Sequence, residues 1–427
     1  MKVSNIFKGD KVLWMVFFFL CLISIIEVFS ASSGLTYKSQ DYVGPIIYHT
    51  GTIVFGFIVA IVIVHIPWRY FKLMTPFLLL FSIVTLLWVL LAGTKIGDAG
   101  RWINLFGFTF QPSEIAKGSL VLAVAQILSI MQDEDGADPK AFKYILILSI
   151  PIIFLIFLEN FSTAALLTIV IYLMMILGRV PMKQIGALTG IGLGVMILGL
   201  AFIWFAGHDK EELERMEKQQ KIEMVAGVKK EKSFLDKVFH RADTWKSRLM
   251  KFADDKEVAP EDYDLDKDAQ VAHANIAIAS SNVLGKGPGN SEQRDFLAQA
   301  FSDFIFAIII EEMGFVGSGL VVLLYIFLLF RAARIASRCE YNFPAFLVMG
   351  LGLLLVIQAL FNMMVAVGLA PVTGQPLPLI SKGGTSTIIN CAYIGAMLSI
   401  SRISKKPQTE NAVETVAAAT EKTDNPE

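Results

Sequence analysis

The stretch VLWMVFFFLCLISIIEVFSAS at residues 12–32 is predominantly apolar. About 20 apolar residues in an α-helix cross the roughly 30 Å hydrocarbon core of a bilayer while satisfying their own backbone hydrogen bonds. The stretch is too long for the apolar region of a cleavable signal peptide, and further stretches like it follow. We therefore predict that the chain begins with a membrane-spanning helix rather than a secretory leader.

The composition extends this prediction to the whole chain. Its 427 residues are 55% hydrophobic and 18% charged, with a mean hydropathy of +0.59, whereas soluble proteins average about 25% charged residues. A soluble globular protein is excluded on these grounds. The 37 basic and 38 acidic residues give a net charge of -1, so no overall basic field exists to attract nucleic acid. The three cysteines show no CxxC or Cys/His spacing, which argues against a disulfide framework or a zinc site.

Ten segments meet the length and hydropathy expected of a spanning helix, and the sequence predicts an all-α polytopic membrane protein. They lie at 12–32, 44–66, 72–92, 113–131, 142–159, 162–179, 185–206, 301–331, 344–369 and 380–402.

The short connections between these segments indicate the orientation. Lysine and arginine cluster before the first segment and after each even-numbered one, and all fall on one side if both termini are cytoplasmic. This topology divides the chain into a cytoplasmic N-terminus, seven spans, a large extracytoplasmic loop, three spans and a disordered tail, at 1–11, 12–206, 207–300, 301–402 and 403–427.

The large loop changes character along its length. Residues 209–232 are densely charged and predict a solvated helix, whereas apolar residues recur at helical spacing among basic ones from residue 233 to 251. The second pattern fits a helix on the membrane surface or a helix packed on neighbouring loops, and the two alternatives are equally supported.

Polar clusters mark the outer starts of the even-numbered segments. Because polar groups at membrane depth are costly, they are candidates for function. Helix N-termini there favour anions, phosphate in particular. The clusters are QPSEIAK at 111–117, NFST at 160–163, SD at 302–303 and SKGGTS at 381–386.

Each cluster also has a purely structural explanation. Pro112 and Glu114 suit the first turn of a helix, and Lys117 lies at i+3 from Glu114, so it either pairs with that acid or reaches a diphosphate. Asp303 has no evident partner in sequence and is the strongest candidate for chemistry. Glu311 and Glu312 are left without a role, because either suits an interhelical pair.

The outer face of a membrane limits the reaction. No nucleoside triphosphate is available there, so an enzyme with its acid outside needs a substrate activated in the cytoplasm and carried across on a lipid. A polyprenyl-diphosphate sugar satisfies this requirement. The residues alone leave a transporter and a transferase both open.

Several multi-residue motifs in this chain have a familiar order and spacing. GRWI at 100–103, QPSEIAK, GPGNS at 287–291, DFIFA at 303–307, EEMG at 311–314 and GQPLPLISKGGTS at 374–386 resemble the SEDS family of RodA and FtsW. The resemblance covers the chain from the first span to about Arg402 and includes the ten-span topology.

The resemblance implies a peptidoglycan glycosyltransferase that polymerises lipid II, with septal cell division as the expected setting and an FtsW-like member favoured. A RodA-like elongation polymerase and a lipid II flippase are the alternatives. Asp303 lies at the family's essential aspartate and is the expected catalytic base. The expected substrate-binding residues are Arg101, Gln111, Ser113, Glu114, Lys117, Asp295, Ser381, Gly383, Gly384, Thr385 and Ser386.

The resemblance also carries implications for partner proteins, cellular location and cofactors. The family works with a class B penicillin-binding transpeptidase and other division membrane proteins, in the cytoplasmic membrane. No organic cofactor is expected. The resemblance leaves open whether a divalent cation, Mg or Mn, adds to the charge stabilisation supplied by Lys117 and Arg101.

Overall fold

The structure is a computed structural model that describes residues 7–39, 44–92, 94–96, 99–105, 108–206, 269–297 and 301–404. Within these ranges the chain is mostly helical, with one short helix and ten long ones. In chain order they are α1 Lys11–Ser39, α2 Gly44–His65, α3 Trp68–Ala92, α4 Pro112–Ile130, α5 Pro139–Glu159, α6 Phe161–Leu177, α7 Met182–Ala206, α8 Ala269–Ala279, α9 Ile305–Ala336, α10 Asn342–Ala366 and α11 Thr385–Ser401.

Seven of the described helices, α1 to α5, α9 and α10, are long and apolar enough to cross a membrane by length and composition. Three further apolar stretches are shorter and fall below that length, Phe161–Leu177, Met182–Leu198 and Thr385–Ser401. These ten helices overlap the ten predicted segments. A polytopic helical protein is therefore confirmed.

A small antiparallel sheet joins α3 to α4, and the prediction of an all-α chain is wrong for this stretch. Strands β1 Thr94–Ile96, β2 Ala99–Leu105 and β3 Phe108–Phe110 pair in the order β1-β2-β3, with Ile103 opposite Phe110. Strands β1 and β3, of three residues each, carry too little periodicity to be read from sequence. Arg101 lies on β2, but its side chain is not among those that the structure describes.

Close backbone approach lets the helices pack. A Cβ placed on Gly395 of α11 would lie 2.8 Å from the carbonyl oxygen of Ala60 in α2, so only glycine permits this contact. Small residues commonly bring membrane helices together in this way, because apolar lipid supplies little hydrophobic driving force between helices. The polar residues of interest lie where α4, α9, α10 and α11 meet.

Helix α9 is broken at Gly314, whose φ of 66° and ψ of -169° lie in a region reserved for glycine. The loop before α9 fills the break: the amides of Lys286 and Gly287 donate to the carbonyls of Glu311 and Glu312, at 3.0 and 2.8 Å. Backbone groups freed by the break thus find partners inside the protein, as membrane depth requires.

Two predicted spans begin later than expected, and the shift moves functional candidates out of helices. The eighth and tenth segments were expected from 301 and 380, but α9 begins at Ile305 and α11 at Thr385. Asp303 and Ser381 therefore lie in irregular backbone rather than in the first turn of a helix.

The ends of the described chain meet at one side of the helix bundle. Arg331 Nε donates to both carboxylate oxygens of Asp10, at 2.8 and 2.7 Å, and the Asp10 amide donates to Ser401 Oγ at 2.8 Å. Burial acts to raise the pKa of Asp10, but the hydrogen bond and charge of Arg331, together with the backbone amides of Leu13 and Val12, outweigh it and hold that pKa below its usual range. This contact ties α1, α9 and α11 together.

Several sequence predictions lie outside the described residues. They are the charged helix at 209–232, the amphipathic helix at 233–251 and the tail beyond Ser404.

Candidate functional site

A buried ion pair lies in the first turns of α4. Lys117 Nζ is 2.9 Å from Glu114 Oε1, and the two side chains are 0% and 2% exposed. The i,i+3 spacing on one helical face brings them together, which is one of the two alternatives left open by the sequence. The Tyr393 hydroxyl donates to the Glu114 backbone carbonyl at 2.6 Å and secures the helix end against α11.

The amide of Gln358 in α10 completes the described surroundings of this lysine. Lys117 Nζ donates to Gln358 Oε1 at 2.7 Å. An ammonium has three donors, and no third acceptor contacts Lys117 within the described part of the chain. Glu114 Oε2 is likewise buried with no hydrogen-bond partner among the described residues. The pair therefore has both a donor and an acceptor to offer a ligand.

Asp303 lies just before α9, where polar groups from α10 and from the stretch before α11 converge. Ser302 Oγ donates to Asp303 Oδ1 at 3.0 Å, and Asn362 Nδ2 donates to the Asp303 backbone carbonyl at 2.9 Å. Ser381 Oγ donates to the Ser302 carbonyl at 2.6 Å. The carboxylate of the predicted base thus accepts a hydrogen bond from its sequence neighbour, and its backbone carbonyl is linked to α10.

The α10–α11 connection, residues 367–384, has no regular secondary structure. Side chains from several helices donate hydrogen bonds to it. Four of its carbonyls accept side-chain hydrogen bonds: Gln375 from Asn362, Pro376 from Gln358, Pro378 from Tyr325 and Ile380 from Ser24. Irregular backbone at membrane depth is tolerated only when protein groups satisfy it in this way. The connection therefore acts as a rigid spacer between the Lys117 and Asp303 regions.

Glu311 and Glu312 anchor the loop that precedes α9. Glu311 accepts from Lys286 Nζ at 2.8 Å and from Ser291 Oγ at 2.5 Å, and the Glu312 carboxylate accepts from the amides of Gly289 and Ser291. The hydrogen bond to Glu311 raises the pKa of Lys286. The sequence had left both acids without a role, because their partners come from a loop about 20 residues away.

The remaining predicted residues divide into two groups. Ser113, Ser381 and Ser386 are buried, and Ser113 Oγ has no hydrogen-bond partner among the described residues. Asp295 instead lies in the short 3-10 helix Gln293–Asp295, half exposed and 3.7 Å from Arg294 Nε.

The glycines and flanking residues of the predicted set shape the two helix entrances. Gly383 approaches Ser386 so closely that a Cβ would lie 2.1 Å from Ser386 Oγ. Gln111 caps α4 through its backbone alone, while Gly384 and Thr385 flank the start of α11.

Sequence reasoning missed Gln358, Asn362 and Gln375. The first two are the buried amide side chains of the mostly apolar helix α10, and polar residues at membrane depth were the available signal. Gln375 Nε2 donates to Thr163 Oγ1 at 2.8 Å, so it links the α10–α11 connection to α6.

The described residues offer no ready-made metal site. Within those ranges, no group of three or more histidine, cysteine, aspartate or glutamate side chains is placed to hold a metal ion.

A model of the family described as "Cell cycle protein", which covers FtsW, RodA and SpoVE, matches residues 10–406. The chain belongs to this SEDS family. Two curated family members illustrate the similarity. The "Probable peptidoglycan glycosyltransferase FtsW" of Geobacter sp. (strain M18) is 28% identical over 92% of this chain and 96% of its own length. The "Peptidoglycan glycosyltransferase MrdB" of Escherichia coli K12 is also 28% identical, over 92% and 93%.

Solved structures show that this SEDS chain shares the fold of its family. A chain from a study of "polymerization and crosslinking by a peptidoglycan synthase complex" superposes with a TM-score of 0.67 at 21% identity, covering 92% of this chain and 98% of that one. The rod shape determining protein RodA of Thermus thermophilus gives a TM-score of 0.59 at 20% identity, over 94% and 100%.

Proposed function

We propose that this SEDS protein is a peptidoglycan glycosyltransferase that polymerises lipid II into glycan strands at the outer face of the cytoplasmic membrane. Family membership and the activity named for its curated relatives support the proposal. One observation in this chain supports it. Gln358 contacts both Lys117 and the Pro376 carbonyl, and Asn362 contacts the carbonyls of both Asp303 and Gln375, so Lys117 and Asp303 are linked to adjacent residues of the irregular α10–α11 connection. That arrangement supports a joint role for a buried cation and an acid that one segment links.

The proposed topology has ten spans, both termini in the cytoplasm and the loop at 207–300 outside. The three shorter helices, α6, α7 and α11, complete the count that seven longer helices begin. The distribution of basic residues supports the orientation. Asp303 and the start of α4 then lie towards the outer face, where a lipid-linked substrate is presented.

In the proposed reaction, Asp303 takes the proton from the 4-hydroxyl of the acceptor lipid II sugar as its oxygen attacks the anomeric carbon of the donor chain. The new glycosidic bond forms as the bond from that carbon to the diphosphate breaks. Undecaprenyl diphosphate leaves with the bonding electron pair. A single displacement of this kind inverts the α-linked donor to a β-linked product.

The developing negative charge on the leaving diphosphate needs stabilisation. Lys117 supplies a buried ammonium whose third N–H has no acceptor among the described residues. The N-terminus of α4 adds free amides and the positive end of the helix dipole. Arg101 and, if one is required, a divalent cation are further proposed sources, and addition of Mg, Mn or a chelator to the assay tests the latter.

Division is the favoured setting, with a class B penicillin-binding transpeptidase as partner and the septum as location. Elongation is the alternative setting, because the relatives at 28% identity carry both FtsW and MrdB names. Lipid II remains the substrate in either case.

The test reconstitutes the purified protein in detergent or proteoliposomes with a cognate class B transpeptidase and labelled lipid II, and resolves products on a gel. We expect a ladder of glycan strands that does not form with the Asp303→Asn variant. Absence of strands with wild-type protein, in the presence of the partner, would refute the proposal. A transbilayer assay of the same proteoliposomes tests the flippase alternative.

A further inference from the structure

We propose that Gln358 and Asn362, the two buried amide side chains of α10, are positioning residues that set the placement of Lys117 relative to Asp303. The inference rests on the proposed function and goes beyond it, because it assigns a role to two residues outside the motifs that carried the resemblance. Both side chains are 1% exposed.

Gln358 uses both ends of its amide. Its Oε1 accepts from Lys117 Nζ at 2.7 Å, and its Nε2 donates to the Pro376 carbonyl at 3.1 Å. Oxygen must face the ammonium and nitrogen must face the carbonyl, so the two contacts fix the amide in a single orientation. The lysine is therefore located by the α10–α11 connection through Gln358 as well as by Glu114.

Asn362 uses its nitrogen twice. Nδ2 donates to the Asp303 carbonyl at 2.9 Å and to the Gln375 carbonyl at 2.7 Å. Asp303 lies in irregular backbone before α9. Asn362 therefore links the Asp303 backbone to the Gln375 carbonyl, and Gln358 contacts the next carbonyl along the same connection, that of Pro376.

The spacing of the two amides matches the helix repeat. Asn362 lies four positions after Gln358, which puts both on one face of α10 about 6 Å apart along the helix axis. Each reaches one predicted functional residue and one of two consecutive carbonyls, those of Gln375 and Pro376. Because α10 is a continuous helix, this pairing holds the two functional groups in a fixed register.

The pairing predicts different kinetic effects for the two positions. Asn362→Leu keeps a similar volume but releases the Asp303 backbone, and misplacement of a general base by about 1 Å costs on the order of 100-fold in rate. We expect kcat to fall about 10- to 100-fold, with KM for lipid II changed less than about threefold.

Gln358→Met removes both amide contacts with little change in shape. Because Lys117 then keeps only Glu114 as a described partner, we expect weaker binding of undecaprenyl diphosphate, by about five- to tenfold. The matched control is Gln126→Met, the same exchange on α4 at a partly buried position that contacts neither Lys117 nor Asp303 by any described hydrogen bond.

The experiment measures strand synthesis against lipid II concentration and equilibrium binding of undecaprenyl diphosphate, for wild type, both variants and the control. Folding is followed by gel filtration and thermal midpoint, and rates are normalised to folded protein. Asn362→Ser, which keeps one donor, is included as a milder change, and its kcat should lie between those of wild type and Asn362→Leu.

A double-mutant cycle separates positioning from general stabilisation. If Gln358 acts through Lys117, then adding Gln358→Met to Lys117→Met should weaken diphosphate binding no further. Additive losses would overturn the inference for Gln358, and wild-type kcat in folded Asn362→Leu would overturn it for Asn362. An inactive wild-type protein would instead refute the proposed function, which keeps the two failures distinct.

Discussion

Lys117 Nζ lies 2.9 Å from Glu114 Oε1 in a part of the protein where neither side chain is more than 2% exposed. A buried pair of this kind permits two roles: mutual neutralisation, or presentation of the ammonium to a diphosphate. The two roles respond differently to removal of one charge and of both.

Lys117→Met should abolish polymerisation and also lower stability, by about 3–5 kcal/mol if Glu114 stays ionised without a partner. Adding Glu114→Gln should restore most of the stability, because no lone buried charge remains, but should not restore activity. Thermal unfolding and the lipid II gel are read on the same preparations. Recovery of strand synthesis in the double variant would make Lys117 a structural residue.

Asp303→Asn should abolish strand synthesis while leaving folding and partner binding intact. The amide keeps the shape of the carboxylate and still accepts from Ser302 Oγ, but it cannot take a proton. The lipid II gel and co-purification with the transpeptidase measure the two properties separately. Normal synthesis by this variant would remove Asp303 as the base.

Gly314→Ala should destabilise the protein by at least about 1–3 kcal/mol from backbone strain alone. Its Cβ would also lie 2.4 Å from the amide nitrogen of Gly285, in the loop that fills the break. Gly319→Ala is the matched control on the same helix, because nothing lies within 4 Å of its added Cβ. Equal thermal midpoints for the two variants would contradict the assigned break in α9.

The ion pair between Asp10 and Arg331 predicts a pH dependence of stability. Because the pKa of Asp10 is lowered in the folded state, its contribution is present above its ordinary value of 3.8 and is lost as pH falls below it. Asp10→Asn should cost about 1.5–3 kcal/mol at neutral pH and progressively less below pH 4. Glu134→Gln, at an exposed position, is the control and should change stability little at any pH.

A cysteine replacing Gln219 should react with a membrane-impermeant maleimide in intact spheroplasts, because the proposed topology puts the loop at 207–300 outside. The background replaces Cys21, Cys339 and Cys391, and a cysteine at Glu134, between α4 and α5, provides the control on the opposite side. That control should react only after the membrane is opened. The reverse pattern would invert the topology and the choice of substrate with it.

The sequence by itself predicted the helical segments to within a few residues and offered the Glu114–Lys117 contact as one of two roles for that lysine. Apolar length and i,i+3 spacing are local properties, so the segment predicted at 113–131 and observed at Pro112–Ile130, and the contact within its first turns, need no knowledge of other helices. The motif order also sufficed to place the chain in its family.

Only the tertiary structure decided which polar groups meet. Lys117 and Gln358 are 241 residues apart, and Asn362 and Asp303 are 59 apart, so no periodicity in the chain encodes either contact. The break at Gly314 is equally hidden, because it exists only where the carbonyls of Glu311 and Glu312 find amides in a separate loop. Buried polar groups must be satisfied wherever the fold brings them, and that requirement acts on neighbours in space rather than in sequence.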